Sequence, residues 1–112
     1  MYARMWRFTI LPGKLDGFVE SVRTLLPEAK KERGFRGFIL FRSLIDDPKT
    51  QCTMLGLWHS RAHLRASDEG LFLPRALAHL ITCCEGYPVI QEQDVLLSEL
   101  FTPRRSADFL MI

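Results

Sequence analysis

Three histidines, His59, His63 and His79, are the side chains whose ordinary pKa lies closest to neutrality, so they are the first candidates for moving a proton. His59 and His63 stand four residues apart around a predicted helix start. That spacing suits a metal pair, but no third ligand is evident and no metal site is expected. His59 should point to the sheet face away from Trp58, which leaves His63 as the better general base. At about 100° per residue, His79 falls nearly opposite the stripe of Leu77, Leu80 and Cys84, the placing of a surface or subunit-contact histidine. Trp58 sits at a strand end on the face shared with Met54 and Gly56, and Gly56 leaves space for a ligand there. The competing reading makes Trp58, and likewise Trp6, a large core aromatic. Arg7 and Arg42 lie inside strands, where each holds a carboxylate or phenolate or else joins an edge or interface ion pair. Cys83-Cys84 is a vicinal pair that cannot bridge without strain; Cys84 belongs to the core stripe, and Cys83 is the exposed, oxidisable one. There is no glycine-rich phosphate loop, nucleophile elbow or paired-carboxylate motif.

The elements that position these residues are legible in turn. Residues from Tyr2 to Leu11 read as a strand closed by Pro12-Gly13. Leu15, Phe18, Val19, Val22, Leu25, Leu26 and Ala29 form one apolar helical stripe; Pro27 is expected to kink or split that helix and Gly34 to end it. Strands from about Phe35 to Ile45 and Gln51 to His59 flank the turn residues Asp46-Asp47-Pro48-Lys49 as a hairpin. Ser60 caps a short helix that breaks at Asp68-Glu69-Gly70, and Pro74 opens another that Gly86 ends. A last strand is expected from Pro88 to Phe101, followed by a tail over residues 102–112 that finishes on Phe109-Leu110-Met111-Ile112 and docks on the domain or its partner.

The length of 112 residues fits one domain, here 1–101 plus the tail, and 47% hydrophobic with 25% charged residues is ordinary for a globular chain. A net charge of +2, scattered, excludes a nucleic-acid footprint. No segment has the apolar length of a membrane span, and the residues Met1-Tyr2-Ala3-Arg4 show no signal-peptide core. With an odd count of three cysteines, the expectation is a cytoplasmic protein without a disulfide framework.

The order βαββαβ predicts an α+β, ferredoxin-like fold: a four-stranded antiparallel sheet with its helices on one face. Phe38, Leu40, Met54 and Trp58 point to one face, whereas Ile39, Phe41, Leu55 and Leu57 point to the other. Leaving the second set in water costs roughly 1.5–3 kcal/mol per large side chain, so a homodimer or a multiple of one is expected.

With Leu11-Pro12-Gly13-Lys14 closing the first strand, Gly34-Phe35-Arg36-Gly37-Phe38 opening the second and Leu57-Trp58-His59-Ser60 ending the third, the chain resembles the antibiotic biosynthesis monooxygenase (ABM) superfamily over roughly Tyr2 to Leu100. The resemblance implies a dimeric α/β barrel with a pocket in each subunit between sheet and helices. It implies a range of activities, of which the first expectation is an oxygenase acting on a small aromatic or polyketide-like molecule without cofactor; on that reading Trp6 and Trp58 wall the pocket, Arg42 and His79 lie beside the substrate, and His63, chosen above for its position, is the base, with Trp58 as its catalytic companion. A haem-binding or haem-degrading relative is the alternative, because Ala78-His79 resembles that subgroup's axial ligand. Against it, the subgroup's first-strand asparagine is replaced by Trp6, whose single donor cannot do the same work. The remaining alternative is a small-molecule-binding or assembly module with no enzymatic activity.

Overall fold

The computed structural model describes residues 1–44 and 49–99. The turn residues 46–48, the outer part of the expected last strand, the boundary at residue 101 and the tail 102–112 lie outside that set. The elements are β1 (Tyr2–Ile10), α1 (Leu15–Ala29), β2 (Phe35–Arg42), β3 (Thr50–Trp58), α2 (Arg61–Asp68), α3 (Phe72–Leu80) with a 3-10 turn at Ile81–Cys83, and β4 (Val89–Asp94). The strands lie in the order β2-β3-β1-β4, with every neighbouring pair antiparallel. This is the expected α+β ferredoxin-like arrangement.

Alternation in β1 decides which face meets the helices. Its even positions, Trp6, Phe8 and Ile10, are buried and pack with Phe18 and Val22 of α1, Leu80 of α3, Cys52 and Cys84. Phe8 stacks at a tilt on Phe18, with ring centroids 5.0 Å apart. Across the sheet, register pairs Trp6 with Met54 and Met54 with Leu40, so all three strands contribute to one apolar layer. The opposite face carries Met5, Leu55 and Ile39 in a second cross-strand row, with Phe41 and Val89 beside it. Ile39, Phe41 and Val89 are 42%, 47% and 54% exposed. Among the described residues no helix is long and apolar enough to cross a membrane.

The structure differs from expectation in two elements. α1 runs unbroken through Pro27, which lies exposed two residues before the helix ends at Ala29 and forgoes the N–H bond to the Arg23 carbonyl. That helix ends at Ala29, earlier than Gly34; Gly34 instead adopts φ +84° in the turn into β2. β4 covers six residues and stops at Asp94, after which Val95 N–H still bonds the Met1 carbonyl at 3.0 Å. Ser60 caps α2 as expected, its Oγ accepting from the His63 backbone N–H at 3.2 Å.

Candidate functional site

Between the sheet's helix-covered face and helices α1 and α3 lies a cavity of about 670 Å³, its open mouth included. Its floor is the cross-strand row Arg4, Gly56 and Phe38, bordered by Trp6 and Met54 on one side and Trp58 on the other. Val22, Leu25, Leu26 and Ala29 of α1 and Phe72, Leu73 and Ala76 of α3 form the opposing wall. Gly56 keeps this floor open. A Cβ there would meet Trp58 Nε1 at 3.6 Å and Phe35 Cε2 at 3.9 Å, and any longer side chain would fill the space above. The Phe35 ring meets Trp58 edge-on, with centroids 5.2 Å apart, which fixes the indole at this end of the floor.

Few polar groups interrupt these apolar walls. Arg4 is 5% exposed and is held from one side by α2: its Nη2 pairs with Asp68 and donates to the Leu64 carbonyl at 3.4 Å, with Glu92 of β4 at 3.9 Å. Two carboxylates thus balance one buried guanidinium and hold it in place. Ser67, also buried, brings a hydroxyl to the wall, and Glu32 brings a carboxylate from the turn after α1. Cys52 and Cys84 are buried under the same sheet, away from the lining. Burial raises the Cys52 thiol, with Arg42 partly opposing; burial, aided by Cys83 and Cys52, pushes Cys84 up to about 11. Both therefore remain thiols at neutral pH and are poor nucleophiles.

The residues predicted from the sequence separate into two groups. Trp6 and Trp58 come together on the cavity floor. His63, Arg42 and His79, where the sequence led us to expect a base and two substrate contacts, are not among its lining residues. His63 Nδ1 lies 2.7 Å from Ser60 Oγ, and its ring packs so closely over Gly34 that a Cβ there would stand 2.3 Å from its Cγ. Its other neighbour is His59, at 5.7 Å between ring centroids. Arg42 is exposed at the far end of β2, and His79 is exposed on α3. Arg7 is exposed on the face opposite the cavity. Arg4 and Glu32 are the lining residues that sequence reasoning missed. Arg4 carried a signal, since it falls in phase with Trp6, Phe8 and Ile10 on the apolar side of β1; Glu32, in a polar turn, carried none.

A family model described as antibiotic biosynthesis monooxygenase matches residues 1–70. Among curated proteins none matches the chain. Solved structures similar to it include a variant of SnoaB, a cofactor-independent oxygenase from Streptomyces nogalater, at 12% identity and TM-score 0.72 over 87% of this chain and 94% of that one. A Nitrosomonas europaea protein of unknown function matches at 19% identity and TM-score 0.72, over 90% of this chain and 94% of its own. A conserved Methanosarcina mazei protein matches at 20% and 0.69, over 81% and 88%. At such identities these structures speak for the fold alone. The family match, which spans more than half of the residues, does more: the chain belongs to the antibiotic biosynthesis monooxygenase family.

Proposed function

We propose that this protein is a monooxygenase for a small aromatic, polyketide-like substrate, which it holds in the cavity beside Trp58 and oxidises without a resident cofactor. Family membership supports a monooxygenase in general terms. The observation that carries the finer reading is the apolar cavity floored by two tryptophans and opened by Gly56, with a carboxylate, Glu32, on its wall. That SnoaB is described as a cofactor-independent oxygenase supports the same mechanism. In that chemistry a phenol such as 1-naphthol loses its O–H proton, and the resulting anion reduces dioxygen directly. One oxygen atom enters the ring, the other leaves as water, and the ring loses its O–H and one C–H hydrogen to become a quinone. The protein must supply an apolar site, aromatic walls and a proton acceptor. Glu32 takes the role of acceptor, because His63 lies outside the cavity. The haem alternative through His79 lacks geometric support, since that side chain is exposed and off the lining.

The working protein is a homodimer in this reading, its open sheet face covered by a second copy over Ile39, Phe41, Leu55 and Val89. Three thiols that are all free suit a cytoplasmic location. The test is turnover of bicyclic and tricyclic phenols under ¹⁸O₂. One labelled atom should enter the quinone, and Glu32→Gln should slow turnover about 100-fold or more while substrate still binds. A product free of label, or equal rates in wild type and Glu32→Gln, overturns the proposal.

A further inference from the structure

Helices α1 and α3 lie side by side with opposite directions, and their two ends are fastened differently. At one end Gly17 of α1 lets the turn after α3 come near: a Cβ there would stand 3.8 Å from Cys83 Sγ. Backbone bonds pin this end to β1, for Leu11 N–H donates to the Cys83 carbonyl at 3.0 Å and Glu85 N–H to the Thr9 carbonyl at 2.8 Å. Phe8 and Phe18 fill the layer beneath it. At the other end the layer beneath the helices is the cavity. There one polar tie joins α1 to α3 among the described residues, the ion pair of Arg75 with Glu28.

Exposure along the walls shows where the cavity opens. Val22 and Leu80 are buried, whereas Leu26, Ala29, Phe72 and Leu73, nearer the ion pair, are half-buried. Leu71, at the N-cap of α3, makes no side-chain cap bond and is 87% exposed, so the first turn of that helix lacks the usual fastening. The Arg75 guanidinium carbon lies 6.0 Å from the centroid of the Phe72 ring, which couples the ion pair to a wall residue. Both charged side chains are well exposed, at 62% and 49%, and a pair so placed is weak and screened by salt. We propose that the two helices form a gate over the cavity, fixed at the Gly17–Cys83 end and latched at the other by Arg75 and Glu28. The ligand passes between Ala29 and Phe72 when the latch parts. The gate rests on this packing alone; its use by a substrate rests on the reading of the cavity as the substrate site, to which it adds the way in.

The test uses the full chain and begins without a ligand. Trp6 and Trp58 are its two tryptophans, each 5% exposed and each on the cavity floor. Quenching of their fluorescence by acrylamide, a small neutral molecule, therefore reads how often the gate stands open. Arg75→Glu sets two carboxylates face to face and should raise the Stern–Volmer constant about threefold or more. The exchange Glu28→Arg with Arg75→Glu should return it to the wild-type value, and about 1 M NaCl should raise it in both wild type and exchange variant. In stopped-flow mixing with 9-fluorenone, Arg75→Glu should speed association and dissociation alike and leave Kd within about twofold of wild type. Quenching that is unchanged in Arg75→Glu and across the salt series overturns the gate, and a rise that the exchange does not reverse overturns the latch. Fluorenone rates that stay put while quenching rises overturn this end as the way in. Quenching that follows the latch in a protein that binds no fluorenone upholds the gate and removes the reading of the cavity as the substrate site. Should Arg75→Glu not fold, Arg75→Met and the salt series on the wild type decide.

Discussion

Replacing Gly56 separates what the cavity costs the fold from what it does for a ligand. Gly56 is not among the glycines with positive φ, so a side chain is sterically allowed there. For Gly56→Ala, the new methyl meets Trp58 Nε1 at 3.6 Å and Phe35 Cε2 at 3.9 Å, ordinary contact distances. Burying one carbon contributes about 0.8 kcal/mol, and removing a strand glycine adds roughly 0.5–1 kcal/mol, so alanine should stabilise by about 1–2 kcal/mol. Gly56→Leu adds three more carbons, together with the methyl a buried side chain of about 1.5–3 kcal/mol. Those carbons also cover the Trp58 N–H, which costs about 1–3 kcal/mol when that donor is left without water or partner. Leucine should therefore be no more stable than alanine, and should abolish ligand binding. Urea titration at one fixed protein concentration reads the first result through the midpoint at unchanged slope; indole fluorescence with fluorenone reads the second. A leucine variant more stable than alanine by over about 2 kcal/mol would refute an open indole N–H beside Gly56. Undiminished fluorenone binding in it would refute the placement of the ligand.

The open sheet face gives a second prediction: Ile39→Lys with Phe41→Lys should halve the mass seen by light scattering while the circular dichroism spectrum is retained. Each apolar side chain withdrawn from a dimer seam removes roughly 1.5–3 kcal/mol, and an unchanged mass would show that this face is not the seam. Gly34→Ala should destabilise by more than about 2 kcal/mol, since it forces an alanine to φ +84° and drives its Cβ to 2.3 Å from His63 Cγ. A loss below about 1 kcal/mol in urea unfolding would mean that neither the turn nor the imidazole is as constrained as the structure has it.

How far the sequence was legible follows from which physical signal each residue carried. The period-2 and period-3.6 patterns were strong wherever a side chain is buried against another element, so β1, α1 and the two-faced sheet could be read directly. Pro27 misled because pattern alone does not say where a helix ends, and only two residues of α1 lie beyond the proline, too few to split off as a second piece. Trp58 was found because a glycine two residues before it marks missing volume, and Trp6 by its place in the first strand, counted back from Pro12-Gly13. His63 was preferred as base for its pKa, but pKa says nothing of which way a helix rolls. The roll of α2 is set by burial of Leu64 and Ser67, and it leaves His63 over Gly34.

Arg4 shows the same limit from the other side. A charged residue at an apolar position of a strand reads as an edge or interface ion pair until its partner is known, and that partner, Asp68, lies on α2, 64 residues away. Once the pair is seen, the meaning of the position changes. A guanidinium needed only for stability could be exchanged for an apolar side chain at little cost, since buried ion pairs contribute little net energy against a well-packed alternative. What an apolar replacement cannot supply is the tie from β1 to Asp68 and the Leu64 carbonyl of α2 at the border of the cavity. The even phase of β1 thus serves two ends: Trp6, Phe8 and Ile10 pack in the core against α1, while Arg4 and Trp6 also line the cavity, whose floor Gly56 leaves open.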